Sequence, residues 1–281
     1  VRNWLAAVLD ANGKIQAIQH KQASGDVLFA VFPAAAAAVL GVDFGAWRGS
    51  TIHYGGIANR ETLAWRAKVP VRTGSWRGLG LLSNAFAVET FMDELAHSAG
   101  QDPLAFRLAH LGDSEGDRRM AAVLQAAADK AGWGTPLPAG RARGIACCTD
   151  VDTKVAQVAE VSVENGRIRV HKITAAMDCG LVINPNGAAA QVQGNVMWGV
   201  GSALIESVTI RDGAVVAGNF DGYPLLTMGE APDVEVVLLE ASDGRPRGVG
   251  EPAIGPVAPA IGNAVFALTG QRLRRLPFQL A

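Results

Sequence analysis

The sequence predicts an α+β fold in which β-hairpins and helices interleave along the chain. Two observations predict it. Strand-like runs meet at Asn12-Gly13, Asn165-Gly166 and Asp212-Gly213, where Asn, Asp and Gly tolerate the positive φ that tight hairpin turns require. Between these runs lie helical stretches bounded by cap residues, including Asp102-Pro103, Asn184-Pro185, Gly132 and Gly270. No self-similarity at a solenoid period is present.

In order, residues 2–10 and 14–19 read as two strands joined at Asp10-Ala11-Asn12-Gly13. Residues 25–56 are rich in Ala and Gly, and their weak periodicity assigns no element. Residues 69–71 form a short strand candidate that runs into the glycine-containing loop 72–80. A helix is predicted over 84–98, with Phe86, Phe91, Met92 and Leu95 on one side and Glu89, Asp93 and Glu94 on the other. A second helix starts with Asp102 as N-cap and Pro103 at N1 and stops at Gly112; a third covers 117–131 and ends at Gly132. The Gly/Pro-rich stretch 133–143 reads as a linker between an N-terminal segment 1–132 and a C-terminal segment 144–281. Beyond it, 155–164 and 167–171 form a hairpin, 185–206 a helix, 207–219 a second hairpin, and 234–240 a buried strand. Residues 248–259 form a loop that enters a last helix ending at Thr269.

Composition excludes several classes. Apolar residues make up 49% of the 281 and charged residues 18%, with a net charge of −1. No basic block suggests nucleic acid or an anionic membrane surface. The longest apolar run, 27–40, is interrupted by Pro33 and too short to span a bilayer. Three cysteines, two of them adjacent (Cys147, Cys148), build neither a disulfide framework nor a zinc, haem or iron–sulfur site, and read as buried thiols. Five scattered histidines have no metal-ligand spacing, so no residue is predicted to ligate a metal. No Gly-x-Ser-x-Gly elbow anchors a hydrolase triad.

Three constellations can carry chemistry. Glu251 sits in Gly248-Val249-Gly250-Glu251-Pro252 before an apolar helix. Glycines allow close approach of backbone to a ligand, and burial of the carboxylate would raise its proton affinity, as a general base near neutral pH requires; a helix-capping turn carboxylate is the alternative. Gln191 shares a helical stripe with Asn195 and Trp198, next to Gly194, and offers both a donor and an acceptor; solvent-facing amides on a closely packed helix are the alternative. Arg77, in Gly74-Ser75-Trp76-Arg77-Gly78-Leu79-Gly80, could grip a carboxylate or phosphate, or lie in a surface turn. This is no dinucleotide fingerprint, since the third glycine is absent.

The order of these motifs resembles the molybdopterin-binding subunit of xanthine-oxidase-type molybdenum hydroxylases. The resemblance rests on Met177-Asp178-Cys179-Gly180, Asn184-Pro185, Gln191-Val192-Gln193-Gly194 and Gly248-Val249-Gly250-Glu251-Pro252, with Arg77 upstream. Asn219-Phe220-Asp221-Gly222-Tyr223-Pro224 and Leu273-Arg274-Arg275-Leu276-Pro277 look like the isoquinoline 1-oxidoreductase branch, whose large chain is also called molybdopterin-binding aldehyde dehydrogenase. The resemblance implies an oxidoreductase that oxidises an aldehyde, or hydroxylates an N-heteroaromatic carbon, with water-derived oxygen. It implies Glu251 as general base, Gln191, Gly194 and Gly250 at the cofactor, and Arg77 as an orienting residue. The implied cofactor is molybdopterin cytosine dinucleotide with molybdenum, shared with a partner chain, and 2Fe–2S clusters on another subunit. Expected partners are the rest of the molybdenum subunit, an iron–sulfur subunit and a flavin or cytochrome c subunit, in a soluble cytoplasmic or periplasmic complex. The family's Met-Gly-Gln-Gly segment is missing, so another polypeptide is expected to complete the site. The Cys147-Cys148 stretch would influence substrate choice if it lined the entrance. A non-catalytic assembly or cofactor-holding subunit is the competing class.

Overall fold

The computed structural model describes residues 1–32, 38–240 and 244–280, so part of the apolar run 27–40 lies outside the described residues. The predicted α+β class holds. Strands β1 (Arg2–Leu9) and β2 (Ile15–Ser24) pair antiparallel around the Asn12-Gly13 turn, and β3 (Asn59–Arg66) adds in parallel to β2. The third strand therefore lies at 59–66, and residues 69–71 are irregular. Its pairing joins residues about forty positions apart, beyond the reach of local pattern. A short helix α1 (Phe44–Trp47), capped by Asp43, lies in the segment that the sequence left unassigned.

Helices α2 (Leu81–Ser98), α3 (Pro103–Ala109) and α4 (Glu115–Ala131) follow. Asp102 accepts from the Leu104 and Ala105 N–H groups and Gly132 adopts the left-handed conformation, as the cap residues predict. Helix α2 starts three residues before Asn84. The Asn84 amide instead donates to the carbonyls of Ala46 and Arg48, fixing the α1 segment against α2. The four-stranded sheet runs β4 (Arg141–Asp150), β5 (Thr153–Glu164), β6 (Arg167–Asp178) and β9 (Asp233–Leu239), antiparallel except for the β6–β9 pair. The small hairpin β7–β8 (Ile210–Arg211, Ala214–Val215) turns at Asp212-Gly213.

Both faces of this sheet are buried. Ile145, Cys147, Ala156 and Val158 meet α2 and α4, while Ala146, Ala159 and Val161 meet α5 (Pro185–Leu204) and α6 (Val257–Thr269). Gly144 makes the second contact possible, because a Cβ there would stand 2.2 Å from the Ala264 nitrogen. Among the described residues one helical stretch, Pro252–Thr269, is long and apolar enough to cross a membrane. It is 78% buried within the fold, which marks it as a core helix. The apolar core that holds α2 and α4 also contains β4–β6 residues, so residues 133–140 connect parts of one core, and residues 141–143 already belong to β4.

Burial also relocates two charges expected to face outward. Glu89 is fully buried and Asp93 nearly so. Glu89 accepts from the Tyr54 hydroxyl (2.6 Å), Arg107 Nε (2.9 Å) and the Cys147 N–H (3.0 Å). Burial alone would push its carboxyl up, but Arg107, His53 and Tyr54 outweigh that and hold it below the ordinary range. A buried charge left without its partner is strongly destabilising, whereas an apolar replacement of the whole pair is tolerated. Arg107→Met is expected to cost about 3–5 kcal/mol of unfolding free energy in urea titrations, and adding Glu89→Leu to recover most of it. Equal stability of Arg107→Met and the native chain would contradict this role for the pair.

Candidate functional site

The predicted site residues converge although they are far apart in sequence. The loop between β9 and α6, containing a 3-10 turn at Pro252–Ile254, carries Glu251. The loop before α2 carries Arg77, and α5 carries Gln191, Gly194 and Asn195. Arg77 Nε donates to the Gly250 carbonyl (2.8 Å), and its Nη2 donates to Gln191 Oε1 (2.7 Å). Asn195 Nδ2 bridges the Gln191 and Gly250 carbonyls at 2.7 and 3.0 Å. Gly194 lies under Arg77, where a Cβ would stand 3.1 Å from Nη1, while Gly250 borders open space.

The loop is irregular chain inside the fold, so its carbonyls need donors from elsewhere. Thr153 Oγ1 donates to the Gly248 carbonyl and Gln157 Nε2 to that of Ala253, both at 2.7 Å. The Cys148 thiol donates to the Pro252 carbonyl at 3.2 Å. Cys147 and Cys148 therefore do not line an entrance. They are buried residues of β4, with both thiols pushed well up by burial.

Both oxygens of Glu251 are engaged. The Gly78 N–H donates to Oε1 at 3.1 Å, and Arg48 Nη1 donates to Oε2 at 2.8 Å. Gly78 has φ +84°, and a Cβ there would stand 2.6 Å from Ile254 Cγ2, so both the conformation and the contact select glycine. Arg48 also forms a two-pronged pair with Asp150 at the end of β4. Burial pushes the Glu251 carboxyl up, but the Gly78 N–H, Arg48 and Arg77 together bring it below its ordinary value. This corrects the expected rise, because the loop supplies cationic and N–H partners along with burial. Arg48 escaped the sequence reading: it follows a four-residue helix in the unassigned segment, 203 positions from Glu251.

The outward face of the cluster is polar and aromatic. Gln191 is exposed and Arg77 half-buried. Trp76 and Trp198 lie 4.9 Å apart between ring centres, with the Arg77 guanidinium 5.8 Å from the Trp198 ring. Asn195 Oδ1 is a buried acceptor without a hydrogen-bond partner among the described residues. With Oε1 taken by Arg77, the Gln191 amide nitrogen is the donor it can offer. This set of amide and guanidinium donors beside an unpartnered acceptor fits an oxygen-rich, anionic cofactor with ring N–H groups.

Elsewhere, His53, Glu89 and Cys147 bring potential metal-ligand atoms within 4.8 Å of one another, a grouping that histidine spacing did not reveal. The Glu89 oxygens are already bonded to Tyr54, Arg107 and the Cys147 N–H, which makes this a structural network.

Comparison with known proteins agrees with the motif order. Residues 146–232 match the family model described as a molybdopterin cofactor-binding domain. The chain is 34% identical to the beta subunit of isoquinoline 1-oxidoreductase from Brevundimonas diminuta, over 98% of this chain and 35% of that protein. It is 35% identical to a nicotinate dehydrogenase subunit from Pseudomonas putida, over 74% and 19% respectively. It thus spans about a third or less of these relatives. Among solved structures, quinoline 2-oxidoreductase from Pseudomonas putida 86 superposes with a TM-score of 0.81 at 13% identity, over 98% of this chain and 60% of that one. The aldehyde oxidoreductase of Desulfovibrio desulfuricans gives 0.72 at 18%, over 98% and 47%. At these identities the two structures show a shared fold.

The Asn195 bridge yields a direct check. Asn195→Leu removes a donor from two carbonyls, and a buried polar group left unmade costs about 1–3 kcal/mol. Amide hydrogen exchange in residues 248–251 is expected to accelerate relative to the sheet, whereas unchanged protection would show that the loop keeps its shape without the Asn195 bridge.

Proposed function

This chain belongs to the molybdopterin-binding subunits of the xanthine oxidase family, and from that premise we propose that it contributes part of the active site of a molybdenum-dependent oxidoreductase. The substrate class is an aldehyde or an N-heteroaromatic ring, the chemistry named for the similar isoquinoline, nicotinate and aldehyde enzymes. The observation that carries the reading is the Glu251 carboxylate, anchored beside the Arg77–Gln191 donor set.

When bound, the molybdenum cofactor supplies two-electron redox chemistry and the site at which water-derived oxygen is transferred. Gln191 and Arg77 would hold its polar edge through their N–H donors, with Gly194 and Gly250 leaving room for close approach. Glu251 accepts a proton on a carboxylate oxygen: each oxygen has one protein donor, and a carboxylate has about four lone-pair sites, so a position remains open. The exposed Trp76–Trp198 pair offers an aromatic surface to a flat substrate. We further propose that the cofactor is the cytosine dinucleotide form. In this reading the rest of the molybdenum subunit completes the site. A 2Fe–2S subunit, with a flavin or cytochrome c subunit, carries electrons away.

Two outcomes are expected of the assembled complex. Glu251→Gln lowers kcat by at least the ~10²–10⁴-fold of a positioned base while molybdenum content stays native; a near-normal rate would sink the assignment. The second outcome concerns pH. Because the Glu251 carboxyl lies below its ordinary 4.5 in the folded chain, the base is ionised throughout the neutral range. The acid limb of kcat/KM is therefore expected below pH 4.5, and the stability contributed by this ion pair should be present above that pH and lost only as pH falls through the depressed value. An acid limb near neutrality would contradict this.

A further inference from the structure

Arg48 is the one cation bonded directly to the Glu251 side chain among the described residues. Its geometry is specific. Nε and Nη2 face Asp150, with Nε 2.9 Å from Oδ1, so the pair fixes the guanidinium plane and leaves Nη1 aimed at Glu251 Oε2. Asp150 is the most buried of the three side chains, at 6% exposure, against 17% for Arg48 and 36% for Glu251. The Arg48 carbonyl is itself held by Asn84 Nδ2 at 2.9 Å. Both ends of the arginine are therefore fixed by groups that do not touch the open face.

We propose that Arg48, locked by Asp150, is the positioning residue of Glu251, tethering one carboxylate oxygen and setting how readily the other accepts a proton. The proposal rests on the reading of Glu251 as the base. A planar fork is required, because one side chain must serve two carboxylates at fixed angles, which an ammonium group cannot reproduce. The other groups facing Glu251 are the Gly78 N–H and Arg77 from the loop before α2, while α5 faces the loop with the neutral amides of Gln191 and Asn195. Asp150 draws part of the Arg48 charge away from Glu251. The two partners therefore act in opposite directions: Arg48 favours the carboxylate form, and Asp150 moderates that preference.

The test uses the assembled complex and pH-titrated infrared difference spectra, with Glu251→Gln identifying the carboxyl band. In Arg48→Met the protonation midpoint of Glu251 is expected to rise by about 1–2 pH units, the scale of losing an adjacent opposite charge. In Asp150→Asn, Glu251 is expected to stay ionised to lower pH than in the native complex. A merely structural role would not shift the two variants in opposite directions. Arg48→Lys, which keeps the charge but not the fork, is expected to raise the midpoint by less than Arg48→Met, and it carries the test if the methionine variant fails to assemble. An unmoved midpoint in the arginine variants, or a rise in Asp150→Asn, overturns the proposal. Midpoints that shift as expected while the acid limb of kcat/KM stays in place support the tether and overturn Glu251 as the base.

Discussion

The site depends on a stretch of irregular chain whose carbonyls are answered by side chains from other elements. Gly248, Gly250, Pro252 and Ala253 receive donors from Thr153 and Gln157 on β5, Cys148 on β4, Arg77 before α2 and Asn195 on α5. A loop without its own ladder of hydrogen bonds has no intrinsic shape, so these donors define its shape. The position of the Glu251 carboxylate is thus a property of the sheet and two helices acting together. A substitution far from the carboxylate can move it by leaving a carbonyl unpaired.

The fold uses buried carboxylates in two ways. Glu89 is enclosed, with a guanidinium, a hydroxyl and a backbone N–H around it and no face left for a ligand. It connects α2, α3 and β4, and its charge serves the packing of those elements. Asp178, gripped by Arg119 through Nε and Nη2, ties α4 to the end of β6 in the same manner. Glu251 differs only in completeness, since a third of its side chain remains exposed and its lone pairs are partly unfilled. The same pairing chemistry closes the shell around Glu89 and leaves it open at Glu251, which is why the proposed reactivity falls on Glu251.

Much of this was legible in the sequence where the signal was local. Asp102, Gly132, Asn184 and Gly270 mark helix ends because each satisfies or terminates backbone groups within a few residues. Asn12-Gly13, Asn165-Gly166 and Asp212-Gly213 mark hairpins for the same reason. The motif order brought Arg77, Gln191 and Glu251 forward, and the fold joins them through Gly250. The parallel β2–β3 pair was not legible, because nothing near residue 59 records its partner at residue 17. Glu89 read as a surface residue because its counter-charge, Arg107, lies on the next helix. Arg48 stood in a segment without periodicity, with partners 102 and 203 positions away.

The direction of the Glu251 shift shows why the missing arginine mattered. Judged from its loop alone, the carboxylate would gain burial without a partner, and its proton affinity would rise. The Gly78 N–H, Arg48 and Arg77 together reverse that; an Arg48–Glu251 pair by itself would leave a cation without its counter-charge once the carboxylate took up a proton. Asp150 removes this difficulty. One arginine and two carboxylates leave the group with one net negative charge, and protonation of Glu251 leaves a neutral, two-pronged Arg48–Asp150 pair behind. The arrangement holds the Glu251 carboxylate ionised and oriented, and it stays balanced in charge when that carboxylate is protonated, as the proposed role requires.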